Sequence, residues 1–357
     1  MHKLITGTMM RSPPLALSIF FMLVSKVVFA TDVGVFYYPG WNKPDIDSWA
    51  KIKPYPDREP LLGWYKEGTD TYTKTYTKWM KDYGVNYVIY DWYWEKNGGV
   101  KDTTYAVDSF MKNSTPASIG FSLLWANHSG TPISYQQFDE IVNYWITHYF
   151  GNGRYKRIDD KPVVFIFSHD RLSADAKTFG ATPQELLERA RAAAVKAGYK
   201  GIYFVGSASA DKKRLDFTDL GSTYDALSAY NYHLGFSEKS SSRKLSISYP
   251  DLAAGYAQSW RRVVNNSKIP YILPLTSGWD RSPWGGSTVP IHDNSVSTPE
   301  NFYEHLQDAK TTLNKHPNQT LNSVVICCWN EYGEGSYIEP TKKYQFKYLE
   351  GIQKYLK

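Results

Sequence analysis

Eight short runs of β-branched and aromatic residues, each separated from the next by a longer amphipathic or polar stretch, leave few folds open to this chain. The runs are Val33–Trp41, Tyr87–Trp94, Phe121–His128, Pro162–Ser168, Ile202–Ser207, Ala226–His233, Ile272–Asp280 and Ser323–Glu331. Several are almost wholly apolar, Val163-Val164-Phe165-Ile166-Phe167 among them, as expected of parallel strands buried on both faces. The segments between them carry helix signals. Thr182-Pro183-Gln184-Glu185 reads as a capping box with proline at the first helical position, leading into Leu186 and Leu187 and stopping near Gly198. Ser297-Thr298-Pro299-Glu300 starts a second helix, and a last one is expected from about Tyr344 to Tyr355.

Eight strand-helix alternations predict an α/β chain folded as a single TIM-like (β/α)8 barrel. The rival, an open doubly wound sheet, calls for a glycine-rich phosphate turn after the first strand. Tyr38-Pro39-Gly40-Trp41 stands there instead. No linker-like composition or internal repeat divides the chain, and Ser282–Ser297 reads as one long strand-to-helix loop.

Residues 1–30 precede this pattern. Lys3 and Arg11, the apolar run Leu15–Val24 and the small-residue end at Ala30 read as a secretory signal. The apolar run is too short for a comfortable membrane span, and Lys26 interrupts it. The reading is therefore a leader over 1–30, one (β/α)8 domain over 31–357, and a secreted or periplasmic protein with no stable membrane insertion after cleavage. Loss of the leader removes three basic residues and no acidic one, halving the formal net charge of +6. No basic stripe remains to neutralise nucleic-acid phosphates, so a nucleic-acid partner is not expected. Composition leaves the oligomeric state open.

The chain carries 12 Trp, 29 Tyr and 16 Phe, and many of them fall at the ends of the strands, where barrels of this kind build their active sites. The candidates are Tyr38 and Trp41 after the first strand, Asp91 and Trp94 at the second, and Trp125, Asn127 and His128 at the third. Tyr230 and Tyr232 follow at the sixth, and Trp279 and Asp280 at the seventh. Aromatic faces with a few carboxylates and amides suit a pyranose ring, whose C–H patches stack while its hydroxyls seek paired donors and acceptors. An oligo- or polysaccharide is the expected partner. No metal and no cofactor is expected: His128, His169 and His233 have no fixed ligand spacing and read more simply as hydrogen-bonded rim residues.

The eighth strand is the most informative. Side chains alternate along a strand, so Cys327, Trp329 and Glu331 should share one face and Cys328 and Asn330 the other. The two cysteines are expected to be reduced, one facing the interior and one the helices. Glu331 and Glu334 converge on one pocket only if the chain turns between them, for which Gly333 and Gly335 supply freedom. Two close carboxyls raise one another's proton affinity, leaving one protonated near neutrality. Spacing alone leaves open whether they form an acid/base pair or are two solvated loop acids.

The segment Trp329-Asn330-Glu331-Tyr332-Gly333-Glu334-Gly335-Ser336-Tyr337-Ile338-Glu339-Pro340 closely resembles the strand-eight signature of the WbsX-like proteins and is similar to that of the related glycoside hydrolase family 99. Tyr37-Tyr38-Pro39, Trp125-Ala126-Asn127, Lys161-Pro162-Val163 and Gly278-Trp279-Asp280 match further segments in order. The resemblance implies a retaining, α-glycan-directed glycoside hydrolase on a (β/α)8 barrel. Glu331 would act as base on the sugar's own 2-hydroxyl, giving a 1,2-anhydro intermediate. Glu334 would be the acid/base, and Tyr332 between them would belong to the substrate site. The chain departs from family 99 in having Tyr332-Gly333 between the acids and at Asp91 and Glu95, which bears on mannose specificity; a weaker likeness to family 71 α-1,3-glucanases keeps α-glucan open. Two alternatives stand beside this: a glycosyltransferase of polysaccharide assembly, and a non-catalytic glycan-binding barrel.

Overall fold

The computed structural model describes Met1 and residues 30–43, 46–113, 119–235 and 245–357. Residues 2–29 of the expected leader therefore lie outside the described residues. All eight expected strands form: β1 (Asp32–Tyr37), β2 (Tyr87–Trp92), β3 (Gly120–Trp125), β4 (Lys161–Ile166), β5 (Tyr203–Ser207), β6 (Ala226–Ser228), β7 (Leu273–Thr276) and β8 (Ser323–Cys327). Each pairs in parallel with its sequence neighbours, and β1 pairs with β8 through Asp32↔Ser323 to Val35↔Ile326. The ring closes between β6 and β7 by a single parallel bridge, Leu227 to Tyr271. There Leu227 N donates to Pro270 O at 2.8 Å and Ile272 N to Leu227 O at 2.9 Å. The result is the (β/α)8 barrel.

The strands stop short of the expected ends because the residues beyond them leave the wall to build the mouth. Helices α1 (Asp70–Tyr83), α2 (Tyr105–Lys112) and α3 (Tyr135–Trp145) follow β1, β2 and β3. Then α4 (His169–Lys177) and α5 (Pro183–Lys196) both follow β4, α6 (Phe217–Thr223) follows β5, α7 (Tyr249–Asn266) β6, α8 (Pro299–Lys315) β7 and α9 (Lys347–Tyr355) β8. The capping box is present: Thr182 N donates to Glu185 Oε2 at 2.8 Å and Glu185 N to Thr182 Oγ1 at 3.2 Å. Thr298 caps α8, with proline next in sequence. Such caps satisfy helix N–H groups that have no partner within the helix. Among the described residues no helix is long and apolar enough to cross a membrane.

Strand alternation divides the core into two layers. Phe36, Ile89, Leu124, Val163, Phe165, Val205 and Val325 fill the barrel interior. Val35, Tyr37, Val88, Tyr90, Trp92, Leu123, Trp125, Val164 and Ile326 face outward and pack with the helices. The loop after β7 is more ordered than its composition suggests. A short strand, Gly278–Trp279, pairs antiparallel with Ser295–Val296, and 3-10 turns at Ser282–Trp284 and Pro290–Asn294 lie between.

The expectation for the end of β8 requires correction. Cys327 and Cys328 are joined by a disulfide across a cis peptide bond, and both lie in the interior layer. Alternation is interrupted at that peptide. Trp329 turns to the outer layer beside Tyr76, and the Asn330 amide pairs with Tyr38 in both directions, at 2.9 and 3.0 Å.

Candidate active site

Past the β8 disulfide the chain makes a small hairpin, Asn330–Glu331 pairing with Ser336–Tyr337 around a 3-10 turn at Tyr332–Glu334. Gly335 closes that turn at φ +68°, a conformation an L side chain resists. The turn brings Glu331 and Glu334 onto one cavity of about 780 Å³ at the C-terminal mouth of the barrel. Gly333 serves a different purpose from the expected one. A Cβ there would lie 2.1 Å from Trp284 Cε2, so only glycine lets that indole, which walls the cavity, pack on the turn.

Of the residues expected at the site, Tyr38, Asp91, His128, Tyr230, Tyr232, Trp279, Glu331 and Glu334 line this cavity together. The remaining six are placed elsewhere. Trp41 is buried, not at the open rim: it stacks on Trp49 with ring centroids 4.0 Å apart and donates its indole N–H to Asn330 O at 3.0 Å. Trp94 and Trp125 belong to the outer packing layer, Trp125 against Trp145 and Phe138. Asn127 is taken up by the backbone of Ser168, which it meets in both directions at 2.9 Å. Asp280 is ion-paired to Arg58 and accepts from Ser282 N. Tyr332 is fully buried and donates to Glu339 Oε2 at 2.9 Å. Trp41, Asn127, Asp280 and Tyr332 are taken up by neighbouring loops, whereas Trp94 and Trp125 pack on α3.

The cavity has walls that the strand-end argument missed. Tyr93, Phe167 and Trp284 add aromatic surface, and Lys43, Lys101 and Arg214 add positive charge at its edge. Two of these were within reach of strand alternation, since Tyr93 stands two residues beyond Asp91 and Phe167 two beyond Phe165. His128, His169 and His233 all line the cavity, but among the described residues no three His, Cys, Asp or Glu side chains are grouped so as to hold a metal ion. His169 contacts Tyr224 and Asp219, whereas His233 meets His292 at 3.3 Å.

The acids sit in a setting that favours their protonated forms. Burial pushes Glu334 up to about 7, against an opposing pull from Arg281. Burial also pushes Glu331 well above the usual carboxylate range. Glu334 and Asp91 push it further, and a hydrogen bond from Tyr230 opposes the rise. Asp91 is raised for the same first reason. One oxygen of each, Asp91 Oδ1 and Glu331 Oε2, has no hydrogen-bond partner. A buried polar oxygen without a partner is costly unless a ligand or water satisfies it. The arrangement can thus offer a proton and accept one within the same aromatic-walled pocket.

A family profile described as Glycosyltransferase WbsX matches residues 54–352. Among solved structures, one described as a glycoside hydrolase-like protein aligns with a TM-score of 0.66 at 16% identity, covering 94% of this chain and 96% of that one. The family 99 endo-α-mannosidase of Bacteroides thetaiotaomicron aligns with a TM-score of 0.60 at 16% identity, over 90% of this chain and 95% of that one. At such identity these two matches bear on the fold. No curated protein matches the sequence.

Proposed function

The chain belongs to the WbsX family, and from that premise we propose that it is a retaining glycoside hydrolase acting on α-linked glycans. The observation that carries the reading is the pairing of two carboxyls on one turn facing an aromatic-walled cavity, Glu331 buried and Glu334 half-buried. In the proposed reaction Glu331 takes the proton of the sugar's 2-hydroxyl as that oxygen attacks the anomeric carbon. Glu334 protonates the departing oxygen. Water then opens the 1,2-anhydro ring: Glu334 accepts the water's proton and Glu331 returns its own to the 2-oxygen, so the acids end as they began. This differs from the usual retaining scheme, in which a carboxylate attacks the sugar directly.

Screening the purified protein against α-linked polysaccharides, with released products identified by mass spectrometry, tests the proposal. An endo-α-mannosidase among the similar barrels puts α-mannans first on that panel, and α-glucans follow. We expect new reducing ends without any added activated sugar. The family's description as glycosyltransferase favours a second reading, transfer from an activated donor to a glycan acceptor. Under it the panel gives no release, and product forms only when a sugar nucleotide is supplied. We further propose export, with residues 1–30 removed. Sequencing the N-terminus of exported protein should begin near Thr31, and an intact Met1 would overturn that.

A further inference from the structure

Tyr230 makes a contact that its chemistry alone does not satisfy. Its hydroxyl lies 3.1 Å from Asp91 Oδ2 and 3.0 Å from Glu331 Oε1. A phenol has one proton to donate and can accept in return. For both contacts to be hydrogen bonds, one of the two carboxyls must itself carry a proton and donate it to the phenol oxygen. With both ionised, one contact would set a carboxylate against an oxygen lone pair inside a buried site. Both acids are nearly inaccessible, Asp91 at 6% and Glu331 at 5% exposure. Like charges so placed do not both ionise cheaply.

We propose that Asp91 and Glu331 share a single proton through Tyr230, and that substrate binding drives this proton onto Asp91, leaving Glu331 as the anion. The trigger is geometric. Glu331 Oε2 is without a partner, and a sugar hydroxyl donating to it stabilises the ionised form. The proton then leaves Glu331 Oε1 for the Tyr230 oxygen while the phenol's own proton passes to Asp91 Oδ2. Two O–H bonds break and two form, and no proton enters or leaves the site. Asp91 is thereby a positioning residue for charge. The step deepens the hydrolase reading and rests on it.

Glu331 and Asp91 also face Glu334 on the same turn, Tyr38 after β1, Tyr93 after β2 and Glu67 behind Asn330, while Arg281 acts on Glu334. The bridge makes the test sharp, because one variant copies the protonated Asp91 and two others remove the proton's route. Asp91→Asn keeps a neutral donor toward Tyr230, so the acid limb of the kcat/KM profile should stay within about half a unit of wild type. Asp91→Ala removes the proton's destination, and Glu331 must then lose it to solvent from a buried site; the limb should move to higher pH by about one unit. Tyr230→Phe removes the donor that stabilises the Glu331 anion and should move the limb the same way. A limb left in place by Asp91→Ala and Tyr230→Phe, or raised as far by Asp91→Asn, would overturn the shared proton; a purely structural or substrate-binding role would change KM without this rescue by the amide. A second measurement needs no turnover. Infrared difference spectra of the ligand-free protein against the double variant Asp91→Asn, Glu331→Gln should show one carboxylic-acid C=O band at neutral pH. Two bands, or none, would refute the proposal even if the glycan assignment stands. One band with no glycan cleaved would leave the proton pair intact and sink the hydrolase reading instead.

Discussion

Glu331→Gln should remove turnover of natural glycans and activated aryl glycosides alike, by roughly 10²–10⁴-fold for loss of a general base. The amide cannot take the 2-hydroxyl proton, and the intermediate must form whatever group departs. Glu334→Gln should separate the two substrates. On a natural glycan, whose leaving oxygen needs a proton, the loss should be of similar size. On an aryl glycoside with an acidic phenol it should be far smaller, because that leaving group departs as an anion. The position of Glu334 agrees with this division: burial lifts it to about 7, so near neutrality a large share of molecules carries the proton to be donated. A 2-deoxy substrate should fail with the wild-type enzyme. If azide instead restores activity to Glu331→Gly and yields an inverted glycosyl azide, Glu331 attacks the sugar directly. The 2-hydroxyl mechanism would then be wrong even though the site is right.

The barrel was legible in the sequence because its determinants are local. Eight strand runs, a capping box and a proline-led helix start each depend on a few adjacent residues, and all of them form, the strands at their expected runs but, β5 apart, shorter at the C-terminal ends. The site was legible only where the same local rule was followed through. Interior-facing residues recur every second position: Phe36 and Tyr38, Ile89 with Asp91 and Tyr93, Leu124 with Ala126 and His128, Phe165 and Phe167. Strict alternation from Asp91 selects Tyr93 and sets Trp92 and Trp94 among the helices, where they are found. It likewise sets Trp125 and Asn127 aside and keeps His128. At Trp94 and Trp125 strand parity outweighs the stacking potential of an indole at a strand end.

Other departures lay beyond any local rule. Trp41 is covered because Trp49, further along the loop, folds back onto it, and Asp280 after β7 is occupied by Arg58 from the loop after β1. Those pairings join segments 8 to 222 residues apart, and only the closed barrel brings the distant one together. Cys327 and Cys328 both lie in the interior layer and Trp329 in the outer one, so alternation breaks at the strand whose parity mattered most.

The second large effect concerns stability and falls on Glu339, which closes the strand-eight motif. It is 2% exposed, and three phenols donate to it: Tyr65 at 2.7 Å and Tyr332 at 2.9 Å on Oε2, and Tyr72 at 3.0 Å on Oε1. Burial raises it from 4.5 to about 7, although the phenols favour the anion. In the folded protein the proton is therefore held to a higher pH than in the unfolded chain. The stability this represents is fully present below about pH 4.5 and is lost as pH rises through 7. A shift of that size corresponds to about 3 kcal/mol above pH 8. Glu339→Gln keeps the shape and remains neutral, and its amide can donate to a phenol oxygen that turns to accept it. Urea unfolding should find this variant close to wild type at pH 5 and more stable by up to about 3 kcal/mol at pH 9. Equal destabilisation at both pH values would mean that the three phenols hold a carboxylate. Tyr332, which precedes Glu334 by two residues, would then be anchored to a buried anion, and removing that charge should disturb the turn carrying both proposed catalytic acids.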